Sequence, residues 1–263
     1  MSILAEIAEK TRQRVAEEKM SLPLPQLRAQ AEAMDASTGF PFAQALAAPG
    51  MRFICEVKKA SPSKGLIAPN FPYLDIAKEY QAAGAAAISC LTEPYWFQGS
   101  DQYLKEIAQA VTIPVLRKDF TVDEYMIYGA KVLGASAVLL ICAILDDGQL
   151  KDYLALAHSL GLSALVEAHD ETELNRALSA GAGIIGVNNR DLRTFTVDVS
   201  NSLRLRKLAP PEVLFVSESG IKTPEDIQKL YDNGTNAVLI GETLMRAPDK
   251  KAMLAQLRGG TTA

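Results

Sequence analysis

The segment from Phe53 to Gly65, FICEVKKASPSKG, decides the fold. It begins as an apolar run typical of a buried strand, and its second half favours a loop because it is rich in serine, proline and glycine. Glu56 and Lys58 are two residues apart, so an extended chain places both side chains on one face. Two charges at the end of a buried strand are costly to desolvate unless they pair or serve chemistry. The segment therefore predicts either a structural ion pair or a functional site.

The composition is that of a globular chain with a sizeable core. The 263 residues are 48% hydrophobic and 22% charged, enough for one large domain or two small ones. The formal net charge of -4 argues against nucleic acid as a partner. No apolar run reaches the roughly 18 residues that a membrane span needs. We expect a small-molecule substrate, no nucleic-acid partner and no membrane partner.

The cysteines and the N-terminus indicate a cytoplasmic protein. Cys55, Cys90 and Cys142 lie inside apolar runs without a CxxC pair, which favours buried reduced thiols. The chain starts with a charged amphipathic pattern rather than a signal peptide. A dinucleotide fingerprint, a Walker loop, an HExxH motif and a Cys/His ligand set are all absent from the sequence, so no cofactor and no metal are implied.

From Met51 onward, short apolar runs alternate with amphipathic stretches of helical spacing. The runs recur after roughly 20 to 35 residues, the spacing of a βαβ unit. Nearly continuous apolar runs indicate strands buried on both faces, as in a parallel sheet. About eight such units predict an α/β fold, a closed (β/α)8 TIM barrel. The predicted strands are Arg52–Val57, Ala86–Leu91, Ile113–Leu116, Ala137–Cys142, Ala164–Glu167, Ile184–Asn188, Val213–Ser217 and Ala237–Gly241.

The first 50 residues predict extra helices before the barrel. Ile3–Met20 carries one apolar stripe among charged residues, which is typical of an amphipathic helix. Leu27–Met34 and Phe40–Ala47 suggest two shorter helices. This N-terminal segment is too short to be a convincing separate domain. We expect residues 1–50 to form a helical extension packed on a barrel of residues 51–263, a single domain overall.

Two regularities accompany the predicted strands. Glycine ends the helix before the second, fourth, sixth and eighth strands, where a left-handed cap suits it. The odd strands end in ionisable residues: Glu56, Lys118, Glu167 and Glu218. Because alternate strands supply each layer of a barrel interior, these charges are expected to gather at one level of the C-terminal mouth.

The residues at the strand ends are candidates for acid–base chemistry. Lys118 can donate a proton when neighbouring carboxylates stabilise its ammonium or tune its pKa. Glu167, a carboxylate among apolar walls, can act as a general base. A salt bridge between them is the structural alternative. Asn188 offers fixed hydrogen bonds, while Arg190 either orients an anion or pairs with its neighbour. His169 opens the polar segment after the fifth strand and is a weaker candidate for chemistry.

The last two strands end in glycine turns that suit an anion. Their motifs are Ser217–Ile221, SESGI, and Ile240–Thr243, IGET. Barrel enzymes often bind phosphate there, beside the N-terminus of a short extra helix. Lys58 and Ser61 of the neighbouring first strand would join this site. The alternative is that the glycines serve only to form turns. The loop Tyr95–Phe97 offers aromatic rings that can clamp a flat ligand or anchor the loop.

These motifs together resemble the indole-3-glycerol phosphate synthase family of tryptophan biosynthesis. Glu56–Gly65, EVKKASPSKG, looks like its first-strand motif, and the later motifs match in order over nearly the whole chain. Asp123–Met126 departs from the commoner Asp-x-Tyr-Gln. Only a short polar tail follows Leu257, so the resemblance implies the monofunctional form without a fused isomerase. The later matching motifs are Arg117–Phe120, Val166–Glu167, Gly186–Leu192, Ser217–Ile221 and Ile240–Met245.

The resemblance implies a carboxy-lyase that cyclises 1-(2-carboxyphenylamino)-1-deoxyribulose 5-phosphate to indole-3-glycerol phosphate, with loss of carbon dioxide and water. It implies Lys118 as general acid and Glu167 as base, with Lys58 near the substrate carboxylate. Orienting roles fall to Glu56, Asn188 and Glu218. The implied substrate-binding residues are Ser61, Phe97, Leu139, Arg190, Ser219, Gly220, Gly241 and Glu242.

Two alternatives remain open from the residues alone. One is another phosphate-binding barrel enzyme, such as a sugar-phosphate isomerase or a Schiff-base aldolase. A Schiff-base enzyme is expected to leave a borohydride-trapped lysine adduct. The other is a non-catalytic phosphate-binding scaffold, which predicts binding without turnover.

Overall fold

The computed structural model describes residues 3–191 and 194–259, and Leu192 of the sixth-strand motif lies outside them. The described residues form a closed barrel of eight parallel strands, in which the first strand pairs with the last. The TIM-barrel prediction is therefore confirmed. We label the barrel strands β1 Arg52–Val57, β2 Ala87–Leu91, β3 Val115–Lys118, β4 Ala137–Ile141, β5 Ser163–Ala168, β6 Ile184–Asn188, β7 Leu214–Glu218 and β8 Ala237–Ile240.

Helices follow the strands on the outside of the barrel, and three precede it. Within the described ranges, no helix is long and apolar enough to cross a membrane. A 3-10 turn, Cys142–Ile144, follows β4, and two-residue strands at Ala60–Ser61 and Gly65–Leu66 form a hairpin after β1. The helices are α1 Ile3–Ser21, α2 Leu24–Glu32, α3 Pro41–Ala47, α4 Tyr73–Ala82, α5 Asp101–Ala110, α6 Glu124–Val132, α7 Asp147–Ser159, α8 Glu171–Ser179, α9 Ser200–Arg206, α10 Pro224–Asp232, α11 Glu242–Arg246 and α12 Lys250–Leu257.

The strand register brings the polar strand ends to one level. Glu218 lies opposite Asn188 on one side and Leu239 on the other, while Leu91 lies opposite Lys118. Below this level, apolar side chains from alternating strand positions fill the barrel, among them Ile54, Leu116, Leu165 and Val216. Residues of α3 belong to the same buried cluster, namely Phe42 and Leu46. The barrel is therefore packed at its centre and polar at its carboxyl end.

The helix α1 is held against the barrel by a buried ion pair. Arg14 Nη2 lies 2.9 Å from Asp119 Oδ2, and the Asp119 side chain is fully buried. The same carboxylate oxygen accepts a hydrogen bond from Thr92 Oγ1 at 2.6 Å. Asp119 directly follows Lys118, so α1 is anchored beside a candidate catalytic residue.

Several strand ends differ from the sequence prediction by one residue, and two further differences have a physical cause. The strand predicted at Ile113–Leu116 begins two residues later and extends to Lys118, because Pro114 has no N–H to give to a sheet. The left-handed glycine cap is not confined to the helices before even strands, since Gly161 before β5 also has a positive φ of 72°. An added Cβ there would meet the carbonyl of Ala36, so this glycine also allows a close approach of the N-terminal extension.

Candidate active site

A cavity of about 610 Å³ opens at the carboxyl ends of the strands. All fourteen residues that the resemblance implies as catalytic or substrate-binding line it, although they span almost 190 positions of the chain from Glu56 to Glu242. Their convergence follows from the parallel register, because every strand delivers its last side chain to the same rim. The fourteen are Glu56, Lys58, Ser61, Phe97, Lys118, Leu139, Glu167, Asn188, Arg190, Glu218, Ser219, Gly220, Gly241 and Glu242.

Lys118 is the cation at the centre of this cavity. Its Nζ lies 3.5 Å from Glu167 Oε2 and 3.8 Å from Glu218 Oε2. Burial acts to lower its pKa, but three carboxylates outweigh that effect and raise the pKa above its ordinary value: Glu167, Glu218 and Glu56. Lys118 is therefore an ammonium group that can give a proton to a neighbouring oxygen.

Glu167 is a buried carboxylate with two differently surrounded oxygens. Oε1 accepts a hydrogen bond from Asn188 Nδ2 at 3.3 Å and lies 3.4 Å from His169 Nε2. Oε2 faces Lys118. Burial alone would raise the Glu167 pKa, but Lys118 and His169 outweigh it, so that the pKa is lowered. Glu167 is therefore ionised and able to accept a proton.

Glu218 has the opposite protonation state. Burial raises its pKa to about 8, with the negative charges of Glu167 and Glu56 adding to the effect against Lys118. Its Oε1 has no hydrogen-bond partner among the described residues. Two carboxyl groups whose surroundings push their pKa values apart are typical of acid–base sites. Near neutral pH, Lys118 thus faces one carboxylate, Glu167, and one carboxylic acid, Glu218.

Lys58 and Glu56 form a second ion pair on β1. Lys58 Nζ lies 2.6 Å from Glu56 Oε1, with both side chains mostly buried. The pair packs against Gly241, where an added Cβ would lie 2.8 Å from Lys58 Nζ. A larger residue at position 241 would therefore displace the ammonium of Lys58.

The turn after β7 and the start of α11 form the other side of the cavity. Ser219 and Gly220 both have positive φ, 68° and 82°, which turns the chain sharply around the rim. The helix α11 begins at Glu242, one residue after Gly241, and both line the cavity. Arg190 also lines it, and its Nη1 donates to the carbonyl oxygen of Phe195 at 3.2 Å.

The loop after β2 contributes one aromatic ring. Phe97 lines the cavity and lies 6.2 Å from the ring of Phe120, whereas Trp96 packs against the barrel core. Glu93, which sequence reasoning missed, shapes this loop. Its buried carboxylate accepts backbone hydrogen bonds at 2.8–3.0 Å from Tyr95, Trp96 and Phe97. An acidic residue just before an aromatic loop is the signal that would have identified it.

The N-terminal helix also supplies part of the cavity wall. Ile3, Leu4 and Ile7 line it opposite the charged strand ends. The sequence predicted an apolar stripe on this helix, but the stripe alone does not tell which surface it covers. These side chains make the cavity a partly apolar site with a few convergent charges, as small-molecule sites usually are.

Comparison with known proteins identifies the family. The family model for indole-3-glycerol phosphate synthase matches residues 4–257. A protein of that name from Ruminiclostridium cellulolyticum is 56% identical over 98% of this chain and 99% of its own length. Another from Lachnoclostridium phytofermentans is 51% identical over 97% and 98%.

Solved structures with low sequence identity share the fold. A thiamine phosphate pyrophosphorylase from Pyrococcus furiosus has a TM-score of 0.59 at 14% identity, covering 80% of this chain and 94% of its own. At this identity the likeness shows the barrel fold alone. The family model and the curated relatives, by contrast, cover nearly the whole chain at high identity, and the chain therefore belongs to the indole-3-glycerol phosphate synthase family.

Proposed function

We propose that the mouth cavity carries out the reaction of this family, with Lys118 as the general acid and Glu167 as the general base. The enzyme is a carboxy-lyase: it cyclises 1-(2-carboxyphenylamino)-1-deoxyribulose 5-phosphate to indole-3-glycerol phosphate, releasing carbon dioxide and water. One observation carries the residue roles, namely that Lys118 Nζ lies between the carboxyl groups of Glu167 and Glu218 inside the cavity.

Ring closure needs a proton on the substrate carbonyl. The ring carbon that bears the carboxylate attacks the carbonyl carbon, and the carbonyl oxygen takes a proton from the Lys118 ammonium to become a hydroxyl. A positioned acid lowers the barrier because the oxygen develops negative charge as the carbon–carbon bond forms. Loss of carbon dioxide then returns its bonding electrons to the ring.

Dehydration needs an acid and a base together. The new hydroxyl leaves as water when an acid protonates it, while a proton must also leave the new five-membered ring. Glu167, the ionised carboxylate, accepts that proton. Glu218 retains its own proton near neutral pH and, with Glu56 and Asn188, orients the lysines and hydroxyl groups.

We propose one orientation for the substrate in the cavity. Its phosphate would lie on the turn side, against the backbone of Gly220, Gly241 and Glu242 with the hydroxyls of Ser61 and Ser219, and Arg190 beside it. Backbone N–H groups in such turns suit anions. The aromatic ring would then lie between Phe97 and Leu139, with its carboxylate near Lys58.

The protonation state of Lys118 argues against a Schiff-base aldolase. A lysine nucleophile needs a lowered pKa so that its amine is free to attack. The carboxylates around Lys118 raise its pKa instead. An ammonium held in this way is an acid rather than a nucleophile, and we expect no borohydride-trapped adduct with the substrate.

We also propose that the reaction takes place in the cytoplasm and involves no nucleic acid. All three cysteines are buried free thiols, which suits a reducing compartment. The formal net charge of -4 offers no excess of cations for a phosphate backbone.

The test is the formation of the fluorescent indole product by the purified chain, with no added cofactor. We expect product and carbon dioxide in equal amounts. Binding of the substrate without product would support the non-catalytic scaffold, and a trapped lysine adduct would support the aldolase.

A further inference from the structure

A second cavity of about 710 Å³ lies beside the first and shares Leu4, Asn188 and Arg190 with it. His169 lines this second cavity, whereas Glu167, two residues earlier on β5, lines the first. The imidazole therefore lies on the side of the proposed general base that faces away from the substrate cavity. The proposed mechanism does not yet use this histidine.

His169 is tightly fixed at the start of α8. Its backbone N–H donates to Glu173 Oε2 at 2.8 Å, and its Nδ1 lies 3.1 Å from the same oxygen. Its carbonyl oxygen accepts a hydrogen bond from Asn201 Nδ2 at 2.9 Å. Because the Glu173 carboxylate is an acceptor, it places a proton on Nδ1 and leaves Nε2 facing Glu167.

Among the described residues, Nε2 of His169 is within ion-pair distance of one carboxylate. It lies 3.4 Å from Glu167 Oε1 and makes no hydrogen bond to any described residue. Glu173 and Glu167 together raise the pKa of His169 to about 8 against the effect of burial, so the ring is charged near neutral pH. A charged imidazolium beside a buried carboxylate stabilises the ionised form of that carboxylate.

We propose that His169 is a positioning residue for the general base. Glu173 holds the ring in place, and the imidazolium charge beside Glu167 Oε1 orients the carboxylate and keeps it ionised. This proposal rests on the role assigned to Glu167 above. Asn188 secures the same oxygen, at 3.3 Å. Oε2 is then the oxygen free to face Lys118 and the substrate.

The charges around His169 favour the imidazolium. Glu167 on β5, Glu173 on α8 and Glu218 on β7 all act to raise its pKa. Lys118, a cation of the first cavity, lies 3.5 Å from the other oxygen of Glu167, Oε2. The second cavity brings further charged groups from α1, the start of α8 and the loop after β6: Arg12, Asp170, Arg190, Asp191 and Asp198.

The pH dependence of kcat/KM tests the proposal, because its acid limb reports the protonation of the free base. In His169→Gln we expect this limb to move to higher pH by about one unit or more, since an opposite charge is lost. Glu173→Gln, which keeps the imidazole but removes its anion, should leave the limb near its wild-type position, because the pKa of Glu167 is lowered from 4.5 and the imidazole is still protonated at that pH. A purely structural residue would lower activity without moving the limb.

The other histidine provides the matched control. His158 lies exposed on α7, with its ring 5.5 Å from that of Phe40, and it lines neither cavity. His158→Gln should leave the limb in place. It also leaves one imidazole signal, so that His169 can be titrated by NMR, where we expect a pKa of about 8 that falls in the Glu173→Gln background.

The outcomes separate the two proposals. If the wild-type enzyme forms no indole product, the proposed function fails. If it is active but His169→Gln keeps the wild-type limb, or His169 titrates at its ordinary 6.5, the positioning role alone is overturned. Should His169→Gln fail to fold by circular dichroism, the NMR titration of His169 still decides the question.

Discussion

At the scale of single residues, the cavity separates the protonation states of two buried carboxyl groups. Glu167 is ionised because an ammonium and an imidazolium face it, whereas Glu218 faces the same ammonium across a longer distance and has an oxygen without a described hydrogen-bond partner. A difference of this kind supplies a base and a neutral acid at one pH.

Glu218→Gln should make the free energy of unfolding less dependent on pH. The pKa of Glu218 rises from 4.5 to about 8 on folding, so the folded chain keeps a proton that the unfolded chain loses between these values. The stability contributed by this group is therefore complete below about pH 4.5 and falls as the pH rises to about 8. Urea unfolding near pH 5 and near pH 8.5 should show the wild type losing at least about 1 kcal/mol relative to the variant.

The effect of His169 cancels in that comparison. Its own raised pKa gives stability that is present below 6.5 and lost by about 8, but both proteins contain it. Parallel stability curves for the wild type and Glu218→Gln would show that Glu218 does not retain its proton.

Lys58→Ala should weaken substrate binding as well as slow the reaction. The substrate carboxylate would lose its cation, and Glu56 would lose the partner now 2.6 Å away. We expect KM to rise roughly tenfold or more, as for a lost charged hydrogen bond. Lys59→Ala is the control, since Lys59 does not line the cavity. An unchanged KM in Lys58→Ala would show that Lys58 does not contact the substrate carboxylate.

At the scale of elements, the helix α1 is part of the site rather than an appendage. It provides an apolar wall and is anchored by the buried pair of Arg14 and Asp119. Arg14→Ala would leave a buried carboxylate without one of its cations, so we expect a loss of roughly 3 kcal/mol in stability.

A neighbouring arginine gives the matched control for that variant. Arg12 pairs with Glu9 at 3.3 Å on the exposed side of the same helix. Such surface pairs contribute little, so Arg12→Ala should change the stability by about 0.5 kcal/mol or less. Equal losses in the two variants, measured by urea unfolding, would show that the Arg14 anchor is no stronger than a surface pair.

The loop after β2 depends on a single carboxylate. Glu93→Gln keeps one acceptor oxygen but replaces the other with an amide donor that cannot accept backbone N–H groups. We expect a loss of about 1–2 kcal/mol in stability and a larger effect on KM than on kcat, because the loop carries Phe97 to the aromatic ring of the substrate. Glu79→Gln on the exposed face of α4 is the control, and an effect on kcat alone would argue against a positioning role.

At the scale of the whole molecule, the barrel could be predicted because its signals are local. Apolar runs such as Ile184–Asn188 have the observed bounds, and their spacing sets the topology. The cavity residues followed from that topology, since parallel strands end on one rim. Roles within the rim remain proposals, because side-chain distances and not strand order decide which carboxyl group holds a proton.

Other features depend on contacts that no local pattern reveals. The apolar stripe of Ile3, Leu4 and Ile7 predicted a helix but not that it covers the mouth. Gly161 looked like any loop glycine, although its partner Ala36 lies in the N-terminal extension, 125 positions earlier. His169 seemed peripheral because Glu173, one helical turn further on, is what turns its ring toward Glu167.

Ring closure depends on a proton that Lys118 is proposed to deliver. The most direct measurement is the turnover of Lys118→Ala in the indole-product assay, with substrate at saturation and folding checked by circular dichroism. We predict a fall in kcat of about a hundredfold or more, the usual cost of losing a general acid. Turnover close to that of the wild type would show that Lys118 does not deliver this proton.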